Sequence, residues 1–330
     1  MKALIITLFL ALTGSVGFAQ VFRIDSLPAT GILLNKGWTF HAGDNPAWAN
    51  PDFDDSHWQA IDPTKDIFEL PQLDKTAGKI GWFRLRLLVD SSLNRQLVMQ
   101  ISQSGASEIY LNGRLIHQLG VLSTKPDRID AFNPNRKPIS FPISKEKIQV
   151  LAVCYALQPN IAYGKNFRTI NKAFDSYLIT DENAAELYSN GLVTTLNRDF
   201  FRVAVYAILF VIFLALYLVS PLRKAYPYFS IYSSLMAFSW ILLSNNRFPN
   251  DMVWFYWFNN IGLILRVTAN VFILTAIYLI LEQKRSLFYW FGLTLGIISI
   301  PFSMLVYRWG WSVFSFGYIN YTDSSSRRRI

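Results

Sequence analysis

The sequence predicts an all-β sandwich joined to an α-helical transmembrane bundle. Three observations carry that expectation. First, Val203–Ser220 (VAVYAILFVIFLALYLVS) holds no charge, proline or glycine. As a helix it would cover about 27 Å, close to the roughly 30 Å hydrocarbon core of a bilayer. Second, the region before it reads as short alternating strands, and no run of ten or more residues with helical spacing appears before about residue 181. Third, charge is unevenly shared. Residues 20–202 hold 20 Lys/Arg against 19 Asp/Glu, whereas residues 203–330 hold 10 against 3. The overall +9 therefore comes mostly from loops beside apolar runs, as in membrane proteins, and is not a basic patch on a folded domain. Nucleic-acid binding is a poor fit to that distribution.

Taken in order, residues 1–19 begin with Lys2, continue with an apolar centre and end on the small residues Gly17 and Ala19, which predicts a secretory signal peptide. Residues 20–180 form the expected exported domain. In Gly81–Asp90 the residues Phe83, Leu85, Leu87 and Val89 face one way while Arg84 and Arg86 face the other. Leu97, Met99 and Ile101 repeat the pattern. Asn112-Gly113 between two strand patterns is a strong hairpin signal, because both turn positions need positive φ. Turn signals every ten or so residues predict an antiparallel sandwich. The one cysteine, Cys154, excludes an intrachain disulfide and reads as a small core residue.

Five motifs in fixed order then resemble a known family. They are Gly37-Trp38-Thr39-Phe40, Trp48, Phe53-Asp54-Asp55-Ser56-His57-Trp58, Gly81-Trp82-Phe83-Arg84 and Ile109-Tyr110-Leu111-Asn112-Gly113. Their order is similar to the N-terminal sugar-binding domain of glycoside hydrolase family 2 and to galactose-binding-like domains. The resemblance covers about residues 31–160 and implies a jelly roll. Packing alone accounts for Trp38, Trp58 and Trp82, and local hydrogen bonds that tie down a turn account for Asp54, Asp55 and Ser56. The functional alternative is a carbohydrate site, in which aromatic rings stack on sugar faces and polar side chains bind hydroxyls. Its candidates, all in loops, are Asp44, Trp48, His57, Asn133, Asn135 and Arg136. Asp44, Asp52, Asp54 and Asp55 match no recognised calcium loop, so no metal and no cofactor is expected. Hydrolysis is not expected either. The chain passes from the exported domain to membrane spans with no room for a catalytic barrel, and His41, His57 and His117 form no metal motif.

Residues 181–202 read as a helical connector, with Thr180 or Asp181 as cap. Residues 203–306 read as four spans, about 203–220, 228–244, 260–281 and 286–306, with Trp254–Phe258 placed in the interface. Arg223/Lys224 and Lys284/Arg285 then fall on the cytoplasmic side of a bacterial inner membrane, with the sandwich in the periplasm. Arg266 interrupts the third span, and with Asn259, Asn260 and Asn270 it is a candidate for a polar role inside the bundle.

An exported galactose-binding-like domain ahead of closely spaced spans resembles bacterial receptors with seven transmembrane helices and diverse intracellular signalling modules. That resemblance implies a periplasmic ligand, with carbohydrate the leading class. It also implies a homodimer and an output domain such as a histidine kinase, a cyclase or a phosphatase. The chain departs from the pattern after four spans. The abrupt tail over 307–330 is expected to mark a truncation before the output module. The rival expectation is a membrane-anchored carbohydrate-binding or protein-docking module with no signalling role.

Overall fold

The computed structural model describes residues 21–74, 79–90, 93, 96–142, 148–159, 161, 163, 171–245 and 251–309. The expected signal peptide, residues 246–250 between the second and third expected spans, and most of the expected tail lie outside them.

Eleven strands among the described residues build two facing sheets. They are β1 (Phe22–Ile24), β2 (Ile32–Leu33), β3 (Trp38–Ala42), β4 (Gln59–Ile61), β5 (Ile80–Val89), β6 (Leu97–Gln103), β7 (Ala106–Leu111), β8 (Arg114–Leu119), β9 (Pro138–Phe141), β10 (Gln149–Ala156) and β11 (Phe174–Thr180). The larger sheet runs β4-β3-β5-β10-β7-β8, with β1 also paired to β5; the smaller runs β2-β11-β6-β9. All pairs are antiparallel except β1 with β5, which is parallel. Alternation reads only which face a residue takes, so it carried no information about that one parallel partner.

The sheets close on one core. Phe83, Leu85 and Leu87 of β5, Met99 and Ile101 of β6, Ile109 of β7, Leu151 and Val153 of β10, and Phe174 and Leu178 of β11 are buried between them with Trp38 and Tyr155. Arg84 and Arg86 alternate to the opposite face, as the period of two requires. The β7–β8 hairpin turns on Asn112 (φ 49°) and Gly113 (φ 80°). Asn112 also holds β10, because its Oδ1 accepts from the Val150 amide at 2.7 Å.

Four long helices follow: α1 (Asp181–Val219), α2 (Ala225–Asn245), α3 (Met252–Ile280) and α4 (Leu287–Trp309). The expected connector and first span are one continuous helix. Asp181 follows β11 directly, and 39 residues continue to Val219, about 58 Å of helix. Helix geometry is indifferent to the change from polar to apolar side chains at Val203, which is where composition suggested a boundary. The interfacial aromatic stretch is likewise part of α3, with Trp254 and Trp257 exposed. Two helices among the described residues, α1 and Val253–Ile280 of α3, are long and apolar enough to cross a membrane. In α2 five serines dilute the apolar run. Several of them satisfy themselves inside the bundle: Ser233 Oγ donates to the Phe229 carbonyl at 2.9 Å, and Ser239 Oγ donates across to Gly262 of α3 at 2.7 Å.

Sandwich and helices meet at two places. Ala184, in the first turn of α1, packs with Val98 and Ile179, and Gln100 Nε2 donates to its carbonyl at 3.4 Å. Phe132 forms a bridge with Asp251, the N-cap of α3, and Phe255 packs on Ala131.

Cys154 is buried in β10. Burial first, then the Asp44 and Glu108 carboxylates, push its thiol well above the usual range. Because the thiolate is the reactive form, maleimide at pH 8 is expected to modify native protein at least ~100-fold more slowly than urea-unfolded protein. Equal rates would contradict this placement.

Candidate functional site

Strand register builds the site on the outer face of the larger sheet. One row crosses four strands as His41–Trp82–Cys154–Glu108. The adjacent row runs Thr39–Arg84–Ala152–Tyr110. The central strand β10 places only small side chains here, Ala152, Cys154 and Ala156. Rings from the strands on either side can therefore lean over it. Trp82 and Tyr110 lie with centroids 5.4 Å apart across that floor. Tyr110 donates its hydroxyl to Glu108 Oε2 at 2.6 Å. Burial first, and that bond second, raise the Tyr110 phenol above its ordinary value.

The chain between β3 and β4 roofs one side of this face. Trp48 sits 4.8 Å from His41 and 5.2 Å from Trp58 between centroids, and stands edge-on to Trp82 at 6.3 Å. Gly43 makes room, since a Cβ there would come within 2.9 Å of the Trp48 ring. His41 is exposed, while Trp48, Trp58, Glu108 and Tyr110 are half-buried, so the strip presents aromatic rings and a carboxylate in part to solvent. Trp82 is 2% exposed, and its Nε1 is a buried donor with no partner among the described residues.

One buried ion cluster holds the roof in place. Arg84 is fully buried, and its Nε donates to Asp55 Oδ2 at 3.0 Å. Its Nη1 donates to the carbonyls of Trp48 and, at 3.1 Å, Asn50; its Nη2 donates to Phe53 at 3.4 Å. The guanidinium also lies 5.7 Å from the Phe53 ring centroid and 5.9 Å from Trp58. Arg86 donates to the other Asp55 oxygen. Burial lowers the Arg84 pKa, against the pull of Asp55.

The sequence candidates divide accordingly. Asp44 and Trp48 belong to the strip: Asp44 is exposed, and its charge reaches both Cys154 and Tyr110. His57 is exposed beside Asp54. The Ser56 backbone N–H and hydroxyl hold the Asp54 carboxyl below its ordinary value, with a smaller contribution from His57. Asp54 thus ties a local turn, as expected. Asp55 does not: it serves the buried pair, because Arg84 29 residues away would otherwise be an uncompensated charge. Among the described residues no group of three or more His, Cys, Asp or Glu gathers that could hold a metal ion.

Asn133, Asn135 and Arg136 lie in a different place, beside the joint with the helices. Asn133 Oδ1 accepts from the Asn135 amide at 2.9 Å and the Gln103 amide at 3.3 Å, which shapes the loop. Asn135 and Arg136 both have positive φ. Arg136 donates to Asp175 at 2.8 Å and lies 4.7 Å over the Tyr177 ring, both on β11. In the bundle, Arg266 Nε donates to the Gly262 carbonyl at 3.3 Å, and its guanidinium lies 5.4 Å from the Trp240 ring. Asn259, Asn260 and Asn270 share α3 with Arg266; the first two are half-buried and Asn270 is exposed. His41, Trp82, Glu108 and Tyr110 were not candidates from sequence. Their signal is the register of four strands, which a single sequence does not disclose.

No family model matches the sequence, and none of the curated proteins does. Part of the chain is similar to part of several solved glycosidases. A Bacteroides uniformis beta-glucuronidase is 22% identical over 44% of this chain and 17% of its own, with a TM-score of 0.31. A beta-glycosidase from Bacteroides vulgatus is 21% identical over 45% and 20%, with a TM-score of 0.29. A glycosyl hydrolase family 2 member from Bacteroides cellulosilyticus is 19% identical over 45% and 20%, with a TM-score of 0.28. The matched region spans a fifth or less of each of these enzymes.

Breaking a buried ion pair by removing one partner costs about 3–5 kcal/mol. Asp55→Ala is therefore expected to cut hydrogen-exchange protection of the β5 amides by roughly 150- to 5,000-fold. Protection within a factor of three of the parent would contradict the role given to Asp55.

Proposed function

We propose that the chain is a carbohydrate-binding module carried on membrane helices, serving as the sensing part of a receptor. The observation that carries binding is the strip on the outer sheet face. Its rings from His41, Trp48 and Trp58 share the outer sheet face with the carboxylates of Asp44 and Glu108. Pyranose C–H faces would stack on the rings, and hydroxyl groups would donate to the carboxylates. A patch that sets amphipathic rings beside carboxylates suits a ligand with many hydroxyls better than a wholly apolar one. The role is binding, with no hydrolytic step. The module sits on the periplasmic side of a bacterial inner membrane in this reading, with the helices crossing the bilayer as several spans.

Sensing rather than passive anchoring is supported by the way β11 continues into α1. No loop intervenes at Thr180–Asp181, so a shift of that strand moves the helix. Loop 131–136 touches β11 through Arg136 and the start of α3 through Phe132, which gives the sandwich a second grip on the bundle.

Calorimetry of the detergent-solubilised chain against an oligosaccharide panel tests the binding claim. Trp48→Ala and Glu108→Gln are each expected to weaken the binding sugar about tenfold or more, the effect of losing about 1.4 kcal/mol. Asp54→Asn is expected to leave affinity unchanged. Absence of heat across the panel, or binding untouched by both strip variants, would overturn the assignment.

A further inference from the structure

The helices contain a second cluster that carbohydrate binding does not use. Arg202 of α1 lies 4.2 Å from the Trp240 ring centroid on α2, and Arg266 of α3 lies 5.4 Å from the same ring. Asp199, one turn before Arg202 and 4% exposed, is within 3.5 Å of Arg202 and 3.6 Å of Arg198. Arg198 and Arg202 thus share the Asp199 carboxylate, and Arg202 and Arg266 share the Trp240 indole. Trp240 adds a donor: its Nε1 is buried with no partner among the described residues.

The depth of the cluster is set by the helices. Arg202 immediately precedes the apolar run that begins at Val203, and Trp240 lies five residues before the end of α2 at Asn245. Arg266 starts deeper, but its Nε bonds the Gly262 carbonyl, one turn nearer the start of α3. Gly262 is level with Ser239, the neighbour of Trp240. The Arg202 and Arg266 guanidiniums therefore meet at the Trp240 ring, at the end of the α1 apolar run nearer the sandwich. In a bilayer that is the depth of headgroups, where Trp and Arg anchor membrane proteins. Arg202 keeps 30% of its side chain exposed, which leaves the cluster open from the side.

We infer that Arg202, Arg266 and Trp240 form a site for a phosphate-bearing anion, with planar guanidiniums on the phosphate oxygens and the indole N–H as a further donor. A phospholipid headgroup and a free phosphate share this chemistry. The inference rests on the membrane placement proposed above, and not on sugar binding.

Native mass spectrometry of the full chain released from detergent tests it, with phosphatidylglycerol, phosphatidylcholine and inorganic phosphate as separate probes. The parent is expected to retain phosphatidylglycerol about tenfold over phosphatidylcholine. The double variant Arg202→Gln/Arg266→Gln should lose that preference, and Arg202→Lys/Arg266→Lys should regain part of it. Arg223→Gln/Lys224→Gln, at the other end of the helices, should keep it. If millimolar inorganic phosphate displaces the lipid, the anion comes from solution; if it does not, the lipid is the ligand. No preference in the parent, or an equal preference in the Gln double variant, would overturn the site. Resistance of the parent to alkaline carbonate extraction is read in parallel. Its loss would sink the membrane placement, whereas an extraction-resistant chain with no anion preference sinks the site alone.

Discussion

The sandwich depends on one buried cation. Arg84 must leave the core face of β5, because Phe83 and Leu85 occupy it, and it then lies under the chain that roofs the outer face. A buried guanidinium without partners would be strongly destabilising. The segment between β3 and β4 supplies them: Asp55 as counter-ion, and the carbonyls of Trp48, Asn50 and Phe53 as acceptors. The aromatic strip follows from that arrangement. Trp48 and Trp58 stand where they do because the segment carrying them is tied to Arg84. Two of the motifs that suggested the fold, DDSHW and GWFR, are thus the two halves of a single ion pair.

The second constraint is the absence of a loop between sheet and helix. β11 is an inner strand of the smaller sheet, paired to β6 along its whole length and to β2 at Tyr177 and Leu178, and it ends where α1 begins. Its neighbours therefore fix how α1 leaves the sandwich. Gln103 reinforces the other grip. Its Nε2 donates to the Phe132 carbonyl at 2.8 Å while its Oε1 accepts from Ser107 at 2.7 Å, so the loop that meets α3 is held from inside the sandwich. The sandwich is thus held to the starts of two helices, α1 and α3.

Much of the fold was legible in the sequence because it is written in local patterns. Alternation in 81–89 identifies the two faces of β5, and Asn112-Gly113 marks the β7–β8 hairpin through a backbone requirement. The candidate site was legible only in part. Trp48 and Asp44 stood out as polar and aromatic residues of a loop. Trp82 and Tyr110 stand in motifs that point to the fold, and His41 and Glu108 in strand patterns; only the register of four strands brings the four onto one face. Asp55 was assigned to its own turn because its partner is far along the chain. The helical connector looked separate from the first span because its polarity differs, yet the backbone hydrogen bonds run through Val203 without a break. In α2 the serines that fit a packed bundle also weakened the apolar signal of a span.

The central claim is that the strip over β5, β10 and β7 is a sugar-binding face. Saturation-transfer NMR tests it most directly, irradiating aromatic protons of the full chain in nanodiscs and observing an oligosaccharide mixture. Transfer to the ring C–H protons of a bound pyranose is expected, with its loss in Trp48→Ala while Asp54→Asn retains it. Absence of transfer to every sugar, or undiminished transfer in Trp48→Ala, would contradict it.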